Sequence, residues 1–237
     1  MGLTIHYTLS LREDVSPAAV RELVRRTGHF ARKIGCAEVG EPLRAEADKI
    51  ETCMSFPISK PGKDGVRYFS QTNATRGWFL MVWPGEGCET ASFGLCQHPR
   101  RARVDRRDIL TGFKGGWRFQ GACKTQYAGE HGWEHFLKCH RMVVSLLDFW
   151  RGLGVRVKVS DDGEFWETRS VEKLRYWFDC YNGLMAVVGG ASKDASDDGL
   201  SVESPIFDYQ NFERLEHEGW QEFGAQVEHL RKMLAGL

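Results

Sequence analysis

One long amphipathic segment in the middle of the chain constrains the fold more than any other feature. Apolar residues recur at helical spacing from Trp133 to Leu153, and charged residues occupy the opposite face. A strand pattern at residues 116–127 precedes this segment, and the alternating run Val155–Ser160 follows it. A helix of this kind must bury its apolar stripe against another layer, so we expect an α+β domain.

The sequence after this helix predicts a hairpin and two further helices. The tripeptide at residues 161–163, DDG, is typical of a tight turn, and residues 164–169, EFWETR, are predicted as the second arm of the hairpin. Ser170 begins a predicted helix that runs towards Gly189, residues 191–204 are predicted as a surface loop, and a last helix follows at residues 212–237. The expected order from Gly116 is therefore β–α–β–β–α.

The first hundred residues predict a strand, a helix and more strands. Residues 3–9 alternate between apolar and polar side chains, Ser16 and Pro17 are typical of a helix start, and Gly35 ends that helix. The apolar run at residues 78–83 predicts a buried strand that pairs with residues 91–96.

We therefore expect a mixed or antiparallel sheet with helices on one face, in a single domain spanning residues 1–237. Two ferredoxin-like β–α–β–β–α halves, 1–110 and 115–190, with a C-terminal helix at 205–237, would satisfy the order of elements.

The N-terminal residues, the lengths of the apolar runs and the cysteine content indicate the cellular compartment. The chain opens without the basic and apolar segments of a signal peptide and has no apolar run near the roughly 18 residues of a membrane span, so we expect neither secretion nor membrane insertion. Seven cysteines, an odd number with no CxxC pair, favour a reducing cytoplasm and give no support for a zinc ribbon.

Charge is divided unevenly along the chain. Residues 1–158 carry 25 basic and 16 acidic side chains, whereas residues 159–237 carry 7 and 16. Two surfaces of opposite sign would suit docking or a homo-oligomer, and an incidental split remains an equal alternative.

Several phrases between Trp83 and Arg169 resemble a set of uncharacterised bacterial proteins to which no activity is assigned. The phrases are WPGEGCE, FGLC, CKTQYA, FLKCH and SDDGEFWETR. The resemblance implies a bacterial cytoplasmic origin and a single domain, and it transfers no catalytic residue.

The first candidate site is an acidic group at the predicted hairpin. Carboxylates at a strand end can hold a divalent metal, and a nearby lysine can polarise a phosphate, as in a phosphoesterase or nuclease. A simple turn explains the same residues and is the favoured alternative. The candidates are Asp161, Asp162, Glu164, Glu167, Arg169 and Lys124.

The second candidate site is a histidine and cysteine cluster. His131, His135 and Cys139 are spaced four residues apart, which allows neighbouring pairs on a helix to chelate zinc. Cys88, Cys96 and His98 are candidates to complete such a site. A structural role for all of these residues is favoured, and His140 is interpreted as a hydrogen-bonded core histidine.

The third candidate site is the polar end of the strand before the long helix. Gln126 and Tyr127 are candidates to orient a small molecule, and Lys124 to meet its negative charge, because ligands bind where strands end near helix N-termini. Cys123 paired with a histidine is a weaker candidate for a nucleophile.

An arginine-rich stretch between Pro99 and Asp108 offers a nucleic-acid hypothesis. A solvated loop is favoured there, because no aromatic residue is interleaved for base stacking. The arginines are Arg100, Arg101, Arg103, Arg106 and Arg107.

Taken together, these patterns favour a cytoplasmic binding or regulatory protein with a polar pocket for a small anionic ligand or a partner protein. The strand around Lys124, the predicted hairpin from Asp161 to Arg169 and the helix start near His131 would form this pocket, with Glu164 and Glu167 among its ligand-binding candidates. A metal-dependent hydrolase of phosphodiesters is the alternative.

Overall fold

The α+β class with an antiparallel sheet is confirmed. A computed structural model of the protein describes residues 2–12, 14–46, 56–61, 67–104, 107–195, 204–209 and 211–235. It contains one seven-stranded antiparallel sheet, two separate two-stranded ribbons and five α-helices within these residues. The helices lie mainly in the second half of the chain.

Eleven strands are seen in the described chain. They are β1 (Thr4–Leu11), β2 (Glu38–Val39), β3 (Leu43–Glu46), β4 (Phe56–Pro61), β5 (Arg67–Thr72), β6 (Arg76–Trp83), β7 (Ala91–Gln97), β8 (Arg101–Val104), β9 (Arg107–Leu110), β10 (Trp117–Lys124) and β11 (Arg156–Asp161). The main sheet has the order β11-β1-β10-β7-β6-β2, and β3 also pairs with β6. The pairing of β6 with β7 was predicted from their apolar pattern.

Strand β1 pairs with two strands from the second half of the chain, β10 and β11. Ile5 is opposite Cys123 of β10 on one side and opposite Asp161 of β11 on the other. A chain built from two separate ferredoxin-like halves would keep its first strand with residues 1–110. That arrangement is not confirmed, because β1 instead joins the two strands of the 115–190 segment.

The helices are α1 (Pro17–Lys33), α2 (Trp133–Gly152), α3 (Phe165–Thr168), α4 (Val171–Ala195) and α5 (Phe212–Ala235). The Ser16 side chain caps α1 by accepting a hydrogen bond from the Ala19 N–H, as the sequence predicts. Helices α1 and α2 contact each other and the main sheet, and Phe30 stacks on Phe149 with ring centroids 4.4 Å apart. The main core lies in this layer and includes the fully buried Trp117 and Trp150.

The predicted second arm of the hairpin is wrong. Residues 165–168 form the short helix α3, which places Glu167 on a helix and Arg169 at its end. Asp161 causes the change, because its carboxylate accepts hydrogen bonds from the N–H groups of Gly163 and Trp166. These bonds end β11 and fix a helical turn directly after it.

Two other segments also differ from the prediction, one in its type of structure and one in its length. Arg101–Val104 and Arg107–Leu110 pair as the ribbon of β8 and β9, where a solvated loop was expected from Pro99 to Asp108. Helix α4 continues to Ala195 instead of ending near Gly189, which shortens the predicted loop. Residues 196–203 of that loop lie outside the described chain.

Helices α4 and α5 cross closely at two glycines. A Cβ added at Gly219 would clash with the Gly183 carbonyl oxygen, so the absence of side chains lets the helix backbones touch. Within the described residues, no helix combines the length and the apolar character needed to span a membrane.

Candidate functional site

A buried chain of hydrogen bonds links the ends of β10 and β11 through α2. The Thr125 hydroxyl lies 2.9 Å from His140 Nδ1, and His140 Nε2 lies 3.1 Å from Asp161 Oδ2. Thr125 and His140 are fully buried, as is the Asp161 side chain. The prediction that His140 is a hydrogen-bonded core histidine is confirmed.

Asp161 is held as a carboxylate by its partners. Burial raises its pKa, but the hydrogen bond and charge of His140 and the N–H groups of Gly163 and Trp166 outweigh burial. The net pKa of Asp161 therefore lies below its ordinary value. Because a carboxylate only accepts, His140 Nε2 carries the proton in this pair.

Thr125, His140 and Asp161 place a hydroxyl, an imidazole and a carboxylate in the order of a catalytic triad with a nucleophile. Their burial, however, excludes a nucleophilic role. A nucleophile must reach the substrate carbonyl, and the Thr125 hydroxyl has no exposed surface in this structure. The three side chains instead join two strands and a helix. We assign them to folding.

Gln126 extends the buried network towards α4. Its side-chain oxygen accepts from the Leu3 N–H at 3.1 Å, and its nitrogen donates to Asn182 Oδ1 at 3.3 Å. The Tyr209 hydroxyl donates to the Gln126 carbonyl at 3.3 Å. Gln126 is 1% exposed and is bonded through its side chain and its carbonyl, so it is not free to bind a ligand.

A cleft of about 840 Å³ lies at the end of this network, between α4, α5 and the start of α2. Asn182 lines it and is 2% exposed. Its carboxamide oxygen accepts from Gln126, and its nitrogen has no hydrogen-bond partner in the described chain. The cleft thus contains a carboxamide N–H group that makes no hydrogen bond within the described chain.

Further donors surround Asn182. Gly132 and Trp133 line the cleft at the N-terminus of α2, where no side chain caps the helix. The first N–H groups of a helix have no acceptor within the helix. The Arg175 guanidinium lies 4.8 Å from the centre of the Trp133 ring, and Asp179 binds only its Nε.

Carboxylates line other parts of the cleft. Glu130 and Glu222 belong to this set, and neither forms an ion pair within the described residues. The remaining acidic groups, Asp179 and Glu218, pair with Arg175 and Arg214 of the same helices. The cleft therefore contains both unused donors and unpaired negative charge.

The predicted ligand-binding residues on β10 and after β11 do not line this cleft. Lys124 Nζ donates to the Tyr127 hydroxyl at 2.9 Å and lies over its ring, so the two side chains satisfy each other. The Arg169 guanidinium binds both carboxylate oxygens of Asp148, at 2.8 and 2.9 Å. Glu164 pairs with Lys173 at 3.0 Å, and Glu167 is exposed on α3.

The predicted metal ligands are also dispersed. Asp162 accepts from the Thr4 N–H at 3.2 Å, and His131 lies in a 3₁₀ turn (Gln126–His131) before α2, not on the helix. His135 lies 3.6 Å from Cys139, between Nε2 and Sγ, and its ring is in edge contact with that of His131, with centroids 5.2 Å apart. In the part of the chain that is described, no group of three or more such side chains is arranged to hold a metal ion.

Two of the residues suggested to complete a zinc site lie elsewhere. The Cys96 thiol packs against Gly77 in the pairing of β6 with β7. The His98 ring stacks on Phe113, with centroids 4.8 Å apart. Both are buried parts of the sheet region.

The arginine-rich stretch is only partly described. Arg100 and Arg101 are exposed, in line with a solvated surface. Arg103 and Arg107 belong to β8 and β9, and Arg106 lies outside the described residues.

Of the residues that line the cleft, sequence reasoning singled out His131 and missed Asn182, Arg175 and Tyr209. Asn182 and Arg175 stand in a helix whose apolar stripe was its only recognised feature, and Tyr209 follows a segment predicted as a loop. No motif marks these positions, because the cleft depends on how α5 packs on α4. Comparisons with protein-family models, with curated proteins and with solved structures find no match for this chain.

Proposed function

We propose that the protein is a binding protein for a small zwitterion, which it holds in the cleft between α4, α5 and the start of α2. The observation that carries the proposal is the buried Asn182 carboxamide, whose nitrogen has no partner in the described chain. Asn182 lines the cleft, and a ligand oxygen that accepts from this nitrogen forms a hydrogen bond worth about 0.5–1.5 kcal/mol.

The neighbouring donors favour a carboxylate as the accepting group. The uncapped first turn of α2 presents backbone N–H groups and the positive end of the helix dipole. Arg175 adds guanidinium nitrogens that Asp179 leaves unused. Asn182, α2 and Arg175 together offer a carboxylate several charge-assisted hydrogen bonds.

The acidic side chains of the cleft restrict the charge that the rest of the ligand can carry. Glu130 and Glu222 would repel a second negative charge and attract an ammonium group. Aromatic side chains of the lining, including Tyr176 and Trp133, suit a cationic or apolar portion. A molecule with one carboxylate and one amine, such as an amino acid, matches both sets of groups.

The size of the cleft agrees with a small molecule. Ligand sites of proteins typically have volumes of about 300–1,000 Å³ and a few converging polar groups. The cleft volume of about 840 Å³ falls within that range.

Isothermal titration calorimetry with the twenty L-amino acids, succinate and inorganic phosphate tests the proposal. We expect saturable binding of at least one amino acid, with weaker binding of succinate and phosphate. Arg175→Met should weaken that binding about 10- to 100-fold, because it removes a charge-assisted contact of about 1.5–3 kcal/mol.

Arg151→Met is the matched control. Arg151 also pairs with an aspartate and lies 5.0 Å from a tryptophan ring centre, but it lies outside the cleft. Its variant should bind like the wild type. Absence of binding for every amino acid, tighter binding of succinate, or equal effects of the two arginine variants would each overturn the proposal.

A further inference from the structure

Three arginines from three different elements line a second cleft, beside the N-terminal part of α1. Arg21 belongs to α1, Arg44 to β3 and Arg76 to β6, and this arginine cleft has a volume of about 330 Å³. None of the three forms an ion pair within the described residues, and no acidic side chain of the described chain lines the cleft. Other arginines do meet carboxylates, as Arg25 meets Glu22 at 2.6 Å. The arginine cleft therefore gathers three positive charges that the described chain leaves without counter-charge.

The strand register brings Arg44 and Arg76 to one face of the sheet. Arg44 is directly opposite Trp78 in the pairing of β3 with β6, and Arg76 precedes Trp78 by two residues on β6. Side chains of opposite residues, and of residues two apart on a strand, lie on the same face. Helix α1 packs on β6 and adds Arg21 to this face. The convergence of the three arginines thus follows from the pairing of the strands and the packing of the helix.

Two indole rings adjoin two of the guanidinium groups. The Arg21 Cζ atom lies 4.9 Å from the centre of the Trp78 ring, and the Arg76 Cζ atom lies 5.7 Å from the centre of the Trp117 ring. A guanidinium is attracted to the face of an aromatic ring by electrostatics. Because this attraction uses no N–H group, both guanidiniums keep donors for a ligand.

A buried glutamine also holds Arg76. The Arg76 Nε donates to Gln97 Oε1 at 2.6 Å, and Gln97 Nε2 donates to the Gly115 carbonyl at 2.7 Å. The Trp117 ring beside Arg76 is fixed in turn, because it is fully buried and its Nε1 donates to the Val15 carbonyl at 2.8 Å. The two terminal nitrogens of Arg76 have no hydrogen-bond partner in the described chain. A side chain that is already positioned loses less freedom when it binds a ligand.

The positive charge is divided between two centres. Arg21 and Arg44 adjoin Trp78, whereas Arg76 stands two residues away on β6, about 6.6 Å along the strand. Guanidinium groups bind phosphate oxygens through paired N–H bonds. One phosphoryl group carries a charge of about −1.5 to −2 at pH 7, so it neutralises at most two of the three arginines. Two linked phosphoryl groups match both the charge and its division.

We propose that the arginine cleft binds the diphosphate group of a small molecule. Arg21 and Arg44 contact one phosphoryl group, and Arg76 contacts the other. The arginine cleft shares no lining residue with the cleft of Asn182, so this site stands independently of amino-acid binding. Free diphosphate and an organic diphosphate, such as a nucleoside diphosphate, offer the same group.

Calorimetry of the full-length protein with sodium pyrophosphate, in EDTA to exclude divalent metals, tests the site. We expect saturable binding that is about tenfold or more tighter than that of inorganic phosphate or succinate, because these carry less charge. The affinity should fall as the salt concentration rises, since salt screens the arginines. Absence of saturable binding, or succinate binding as tight as that of pyrophosphate, would overturn the proposal.

Arginine variants test the position of the site. Arg21→Met and Arg44→Met should each weaken pyrophosphate binding about 10- to 100-fold, because each removes charge-assisted hydrogen bonds. Arg26→Met is the matched control, since Arg26 is also exposed on α1, lies 6.0 Å from the centre of the Phe149 ring and forms no ion pair in the described chain. Circular dichroism should show the wild-type fold in all three variants. An equal loss of affinity in Arg26→Met would contradict a site at the arginine cleft.

Nucleotides distinguish the two sources of the diphosphate group. ADP that binds more tightly than pyrophosphate identifies an organic diphosphate, and the reverse order identifies the free ion. AMP has one phosphoryl group and should bind about tenfold or more weakly than ADP, whereas equal affinities of AMP and ADP would refute recognition of a diphosphate. Arg175→Met should leave pyrophosphate binding unchanged, because Arg175 lines only the cleft of Asn182, so the two proposals fail separately.

Discussion

Replacing Asp161 with alanine should destabilise the protein more than any other single change in the buried network. Its carboxylate accepts from His140 at 3.1 Å and from the N–H groups of Gly163 and Trp166 at 2.9 Å each. Alanine leaves these three donors without an acceptor in a buried site. Each buried donor left without an acceptor costs about 1–3 kcal/mol, and we expect Asp161→Ala to lose about 3–5 kcal/mol in total.

Urea unfolding at pH 7, followed by circular dichroism, measures the effect. Asp162→Asn is the matched control, because Asp162 accepts one bond from the Thr4 N–H and an asparagine oxygen can replace it. The control should lose less than about 1 kcal/mol. A loss below 1 kcal/mol for Asp161→Ala would refute the claim that this network holds β10, α2 and β11 together.

Two further predictions concern stability. The pKa of Asp161 in the folded protein is below its ordinary value of 3.8, so the stability that this carboxylate contributes is present above pH 3.8 and is lost as the pH falls below that value. Urea titrations across this pH range should show the loss of unfolding free energy in the wild type and a smaller loss in Asp161→Asn. Gly219→Ala should cost about 1–3 kcal/mol in the same assay, because its Cβ would clash with the Gly183 carbonyl. Gly152→Ala, where a Cβ has no neighbour within 4 Å, should cost nothing, and equal losses in the two glycine variants would contradict close packing of α4 on α5.

The regular elements were predictable because their periodicity is local. The apolar stripe of α2 and the alternation in β1 and β11 each extend over several residues and fix both the type and the face of the element. The antiparallel α+β class follows from their order. The position of β1 between β10 and β11 does not, because strand order depends on contacts between distant parts of the chain.

The misassigned second arm after β11 has a specific cause. Phe165 and Trp166 between glutamates resemble a short strand, and side-chain bonds from Asp161 to Gly163 and Trp166 override that local pattern. An aspartate two residues before a glycine is a known signal for such bonds. Here the signal was interpreted as a hairpin turn.

The candidate site was predictable only in part. Thr125, His140 and Asp161 lie in the three segments that the sequence singled out, and their convergence is explained by folding rather than catalysis. The cleft draws on Asn182 and Arg175 of α4 and on α5, whose relative placement depends on the contact of Gly183 with Gly219. A single sequence contains no local pattern for such a contact.

The side-chain amide signal of Asn182 in a ¹H–¹⁵N NMR spectrum tests the central claim most directly. The signal is assigned by its loss in Asn182→Asp and is followed while the tightest-binding amino acid is titrated. A new hydrogen bond to the ligand carboxylate predicts a downfield proton shift that saturates with the calorimetric affinity. An Asn182 signal that stays in place while the amino acid binds would contradict the proposed site.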